Sequence, residues 1–209
     1  MIELLQHSLS HRELIILSSI VQVGDATYKD LMESHEPMFG HRYFADTRGK
    51  IRTKLVQMQC EIESHDPNFP FDFTQRNFSY EHCIPELHTK NMILHIGRSP
   101  APDILPYEAK YKIQLSHNNA LLDRQMVIDP DIRPPFGFEP FYGLLVFGGR
   151  NKPFITVQFP APGYRGILDS IDVPRMMFAT KSAEAEVFER KKAGLKKEFL
   201  ARGLEGVIS

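Results

Sequence analysis

At 209 residues, the chain can hold one large domain or two small ones. Its 42% apolar and 24% charged content is that of a globular protein, and fifteen Phe and seven Tyr can fill a core without Trp. A net charge of −1 excludes a whole-surface nucleic-acid binder and leaves room for a local basic patch. No apolar run reaches the roughly 18 residues of a bilayer span. Two cysteines, Cys60 and Cys83, make no disulfide framework, and nothing at the start reads as a secretory signal. The expectation is a cytoplasmic, reduced protein with no membrane partner, cofactor or metal.

Ser10-His11-Arg12-Glu13 has the S-x-x-E form of a capping box, followed at once by four apolar residues. It predicts a helix over 10–22, ended by Gly24. Asp25 can then cap a short second helix over 26–33, with Tyr28, Leu31 and Met32 turned inward. A looser segment broken by Pro37 and Gly40 follows.

Asp46–Glu63 is the clearest amphipathic helix in the chain. Ile51, Leu55, Met58 and Ile62 form its apolar stripe, and Asp46 or Thr47 can cap it. Between residues 42 and 54 five positive side chains stand against one acid, Asp46. Three helices with a tight first turn resemble the arrangement of a helix-turn-helix or winged-helix module, in which the third helix enters the major groove. Arg48, Lys50, Arg52, Lys54 and Gln57 are then the expected contact set for double-stranded DNA, working by phosphate neutralisation with limited base contact. The rival reading is a solvated face. Residues 1–65 carry seven positive side chains against nine acids, so the patch is local.

Residues 66–84 read as an aromatic, proline-rich connector, with at most a short strand or wing near 71–73. A sheet domain is expected over 85–175. Met92–Ile96 is its first strand. Residues 107–125 fit helix or strand, with length and polar helix formers favouring helix. A short strand at 126–128 and a rigid proline-rich loop follow. Phe141–Phe147 is a nearly continuous apolar run, as a strand covered on both faces requires. Gly148–Asn151 turns it into a partner strand at 154–159, and 167–173 adds an edge. Residues 176–209 hold a last helix with a basic middle, which could clamp nucleic acid, pack on a partner, stand as a solvated arm or build a homo-oligomer through its apolar stripe. The fold class expected is α+β: an N-terminal three-helix, winged-helix-like unit, then a mixed or antiparallel sheet domain with a C-terminal helix.

Three other constellations carry chemistry. Pro102-Asp103 with Glu108-Ala109-Lys110 has the letters of a PD…ExK nuclease site, in which carboxylates hold Mg²⁺ and the lysine assists the attacking water. It requires 107–115 to be a strand, so that Glu108 and Lys110 share a face. His82, Cys83 and His88 are borderline metal donors, but no second cluster completes four ligands. Arg133, Arg150 and Arg165 could line an anion pocket. The function expected is a DNA-binding regulatory protein. The alternatives are a Mg²⁺-dependent nuclease using Asp103, Glu108 and Lys110, or a non-catalytic, immunity- or antitoxin-like protein that presents an exposed aromatic patch to a protein partner.

Overall fold

The computed structural model describes residues 9–79, 82–122, 139–149, 152–174 and 183–208. The protein is mixed α+β. Among the described residues it has four helices, α1 (His11–Ser34), α2 (Ala45–Glu63), α3 (Lys110–Ser116) and α4 (Ala183–Ile208), besides one helical turn at Glu36–Phe39. The strands are β1 (Asp72–Ser79), β2 (His82–His88), β3 (Met92–Ser99), β4 (Phe141–Gly148), β5 (Phe154–Pro160) and β6 (Ile167–Asp172). Two compact units result: a helical one, Ile16–Pro67 with Arg175–Ser209, and a sheet unit, Met1–Ile15 with Asn68–Pro174. No helix among the described residues is long and apolar enough to cross a membrane.

The capping box forms as predicted. The Ser10 amide donates to Glu13 Oε2 at 2.5 Å, and the Glu13 amide donates to Ser10 Oγ at 3.3 Å. The two helices expected at 10–22 and 26–33 are one helix, however. α1 runs straight through Gly24 and Asp25. A glycine costs a helix interior only about 1 kcal/mol, and here its bareness is used. A Cβ on Gly24 would lie 2.6 Å from Val56 Cγ2 and 2.9 Å from Val56 Cα, so the missing side chain lets α1 and α2 approach closely. Asp25 does not cap a new helix but accepts hydrogen bonds from Arg52 of α2. The tight turn between two helices, on which the helix-turn-helix arrangement rested, is therefore absent. Nor do Asp46 or Thr47 cap α2, which starts at Ala45 behind Phe44.

The stripe predicted on α2 faces a core of Val23, Leu31, Phe39, Leu55 and Leu195, against which Ile51, Met58 and Ile62 also pack. Leu195 belongs to α4, whose Phe188 and Phe199 join the same cluster. The basic middle of α4 is paired within this unit as well. Lys191 reaches Glu63 at 2.5 Å, Lys196 reaches Asp30 at 2.6 Å and Arg202 reaches Glu61 at 3.3 Å. Such partly exposed pairs give at most about 1 kcal/mol each, while burying one Leu gives about 2 kcal/mol. Apolar contact thus holds α4, and the charges set its register.

The six strands lie in sequence order, β1-β2-β3-β4-β5-β6. All neighbours are antiparallel except β3 and β4, which are parallel. The expected connector over 66–84 is thus largely β1 and the start of β2. Pro85 disguised it, because proline cannot donate to a ladder. The structure accommodates it simply: β2 pairs with β3 only from Glu86 onward, so Pro85 faces an unpaired side. The predicted hairpin at 141–159 is present, with β4 central and buried along nearly its whole length. Gly149 turns it at φ 77, in the left-handed region. Residues 110–122 are helical, as favoured: α3 followed by a 3₁₀ turn. The strand expected at 126–128 lies outside the described residues.

Gly24→Ala tests the close crossing. Propensity alone would stabilise the helix by about 1 kcal/mol. The overlap with Val56, part of it backbone, should instead destabilise the protein by about 1–3 kcal/mol in urea unfolding, and a stabilised variant would refute the crossing.

Candidate functional site

The five residues expected to contact DNA do not form one outward face. Lys50 and Lys54 are exposed. Arg48 Nε donates to the Phe39 carbonyl at 2.7 Å. Arg52 makes a bidentate pair with Asp25, Nε to Oδ1 at 2.6 Å and a terminal nitrogen to Oδ2 at 2.5 Å, with both side chains largely buried. Gln57 is buried at 9% exposure. Half of the helix's charge density is thus spent tying α2 to its own unit.

The sheet unit concentrates ionisable side chains on one face. Strand alternation and the register Glu86↔His95 bring Glu86 of β2 and His95 of β3 together, with Tyr142 of β4 beyond them. His95 Nε2 lies 2.7 Å from Glu86 Oε2, and His95 Nδ1 lies 3.1 Å from the Tyr142 hydroxyl. Arg76 of β1 donates to the same Glu86 oxygen at 2.7 Å, while His88 Nε2 lies 3.1 Å from Oε1. The hydrogen bond from His95 outweighs burial and, with Arg76, holds the Glu86 carboxyl down at about 2. Burial holds the His95 imidazole below its ordinary value. A neutral His95 beside a carboxylate fixes the tautomer: Nε2–H donates to Glu86, and Nδ1 accepts from the Tyr142 hydroxyl.

This chain has the connectivity of a carboxylate–imidazole–hydroxyl triad without its accessibility. Tyr142 is fully buried, and burial pushes its hydroxyl pKa well up. His88 does not supply the relay either, because its Nε2 serves both Glu86 and Thr74 Oγ1, the latter at 3.1 Å. A nucleophile triad needs two different nitrogens. The network is a clamp across β1 to β4.

A second arrangement on the same face is built to display. The segment after β3 carries Pro100, Pro102 and Pro106, which fix φ at three positions. Buried side chains take up its carbonyls. Gln158 Nε2 donates to Pro102 O at 2.7 Å and to Ile104 O at 3.3 Å, the Tyr164 hydroxyl to Pro106 O at 2.9 Å, and Lys112 Nζ to Tyr107 O at 2.5 Å. Lys112 has no carboxylate partner among the described residues. Its ammonium lies 6.0 Å from the Tyr111 ring centroid and 5.9 Å from that of Tyr164. Burial lowers its pKa to about 8. On this pinned backbone Leu105 and Pro106 turn inward. Ile104 stands 47% exposed and Tyr107 95% exposed.

Of the alternative nuclease set, Asp103 and Glu108 lie on this ribbon and Lys110 begins α3, all three exposed. The strand that would align Glu108 with Lys110 does not form: Ala109 is extended and α3 begins at Lys110. Among the described residues, no group of three His, Cys, Asp or Glu side chains could hold a metal ion. Arg165 is exposed, and Arg133 and Arg150 lie outside the described residues. The sequence carried one signal for what was missed. The signal was His95, which interrupts an apolar run, whereas Lys112 and Gln158 alternate with apolar neighbours as ordinary amphipathic positions do. A polar residue at a core position demands a partner. Comparison with family models, curated proteins and solved structures yields no match.

Two pH limbs follow from these groups. Glu86, held near 2 against an ordinary 4.5, contributes stability that is full above 4.5 and lost as pH falls toward 2. Glu86→Gln should remove that part of the acid limb. Lys112 gives a slope of the same sign in a higher window, but at neutral pH its lowered pKa costs stability where that of Glu86 adds it. Between about 8 and its ordinary 10.5, the unfolded chain binds a proton that the folded chain has released, so stability rises with pH across that window. Burial raises the Cys60 thiol and the Tyr111, Tyr142 and Tyr164 hydroxyls, which lowers stability as pH rises through the same range. The check is therefore a difference: the urea midpoint of the parent relative to that of Lys112→Met should increase from pH 8 to 10.5.

Proposed function

We propose that the protein is a non-catalytic protein-interaction module that binds through the ribbon 102–108. The observation that supports this most is Tyr107, 95% exposed on a backbone whose carbonyl is held by a buried lysine. Burying an ammonium is costly. Here it fixes the stretch that carries the most exposed aromatic side chain among the described residues, ahead of Phe78 at 41% in the same unit. Tyr is a favoured anchor at interfaces, and an anchor that is already ordered loses little conformational entropy on binding. Affinity capture from the producing cells, quantified for the parent and for Ile104→Ala/Tyr107→Ala, tests the reading. The double variant should fold with stability within about 1 kcal/mol of the parent, since both side chains face solvent. It should lose its partner by roughly thirtyfold or more, the weight of one anchor. Equal capture by both proteins would dismiss the ribbon as the binding element.

A second reading keeps nucleic acid as the ligand and rests on the exposed cluster at the start of α2. Tyr43, 73% exposed, stacks with His41 at 5.1 Å between ring centroids and with the Arg42 guanidinium at 5.1 Å, and Lys50 and Lys54 are exposed on α2. Bases stack on such rings. If DNA binds there, Lys50→Ala/Lys54→Ala should weaken duplex binding and reduce the salt slope by roughly two. Binding with an unaltered slope would exclude these lysines as phosphate contacts.

A further inference from the structure

Two other candidates on the molecule yield no ligand. The Glu86–His95–Tyr142 chain is closed to solvent, and Lys191, Lys196 and Arg202 of α4 are paired with Glu63, Asp30 and Glu61 of its own unit. The ribbon 102–108 goes further, because the charges around its apolar residues indicate what meets it. We infer that its partner is a protein with an apolar groove rimmed by lysine or arginine side chains, an inference that rests on the proposed interaction function.

The two outward side chains, Ile104 and Tyr107, are bracketed in sequence by Asp103 and Glu108, both exposed. Neither carboxylate has a hydrogen-bond or ion-pair partner among the described residues. The largely buried acids elsewhere are matched, Asp25 by Arg52, Glu63 by Lys191 and Glu86 by Arg76, whereas Asp103 and Glu108 stand in solvent and are open to an outside cation. The one positive charge nearby that is tied to the ribbon, Lys112, is buried beneath it and held by the Tyr107 carbonyl. Lys110 is exposed at the start of α3, which leaves the ribbon's two acids in excess by one. An apolar pair with an acidic flank at each end matches a groove with a greasy floor and a basic rim. The floor would supply affinity, and the rim would set register and steer the encounter.

The test uses the full chain in the cells that produce it, with the photo-crosslinker p-benzoylphenylalanine incorporated at position 104. Three proteins are compared: the otherwise unaltered chain, Asp103→Lys/Glu108→Lys, and that double variant beside a crosslinked partner whose rim Lys or Arg residues are changed to Glu. A discrete adduct should form with the unaltered chain, fall by about tenfold or more on charge reversal, and return when the rim is reversed. An adduct indifferent to charge reversal would overturn the basic rim and leave the ribbon as a docking element. A chain that gives no discrete adduct would overturn both the rim and the interaction function beneath it.

Discussion

A parallel neighbour cannot be reached by a tight turn, and this constraint shapes the sheet unit. β3 and β4 lie side by side and parallel, so the chain must leave the end of β3, cross one face of the sheet and return to the start of β4. The crossover brings α3 over Tyr142, Leu144 and Val146, where Ile113 and Leu115 pack. Asn119 anchors its return. The Asn119 amide donates to the Tyr142 and Pro160 carbonyls and its oxygen accepts from the Tyr142 amide, each at 2.8 Å. A crossing segment cannot bury backbone carbonyls unpaired. Gln158, Tyr164 and Lys112 meet that requirement for residues 102–107, and the same bonds leave Ile104 and Tyr107 facing out.

The helical unit follows from a different economy of charge. α2 carries a dense run of Arg and Lys, yet Arg48 and Arg52 act as struts to the Phe39 carbonyl and to Asp25. Asp30 of α1 and Glu61 and Glu63 of α2 are in turn matched by α4. A basic helix in sequence need not be a basic surface in space, because side chains of both signs are drawn together when the helices close on a shared core. Apolar contact sets that closure, and Gly24 sets how close it can be.

Much of the fold was legible. The capping box at Ser10, the stripe on α2, the continuous apolar run of β4 and the Gly148–Gly149 turn each follow from a local rule, and each is present. Two features were misread for physical reasons. Gly24 and Asp25 look like a helix end, but tertiary contacts with Val56 and Arg52 override a penalty of about 1 kcal/mol. Residues 66–84 look like a proline-rich connector, but Pro67 and Pro70 precede β1, and Pro85 sits in β2 short of its pairing with β3. The candidate site was less legible. Asp103, Glu108 and Lys110 drew attention by their letters, while Lys112 and Gln158, which hold the ribbon, lay within ordinary amphipathic patterns. Gln158 and Tyr164 reach carbonyls more than fifty residues away, which no local periodicity encodes, while Lys112 reaches one five residues back.

The central claim is that the ribbon 102–108 is ordered before any partner arrives. Backbone ¹⁵N relaxation of the free protein at Ile104, Leu105 and Tyr107 measures this directly. The account predicts order parameters near 0.85, as in a rigid backbone, despite the exposed position of the segment. Values below about 0.6 at these amides would mean a flexible loop, and would contradict the account.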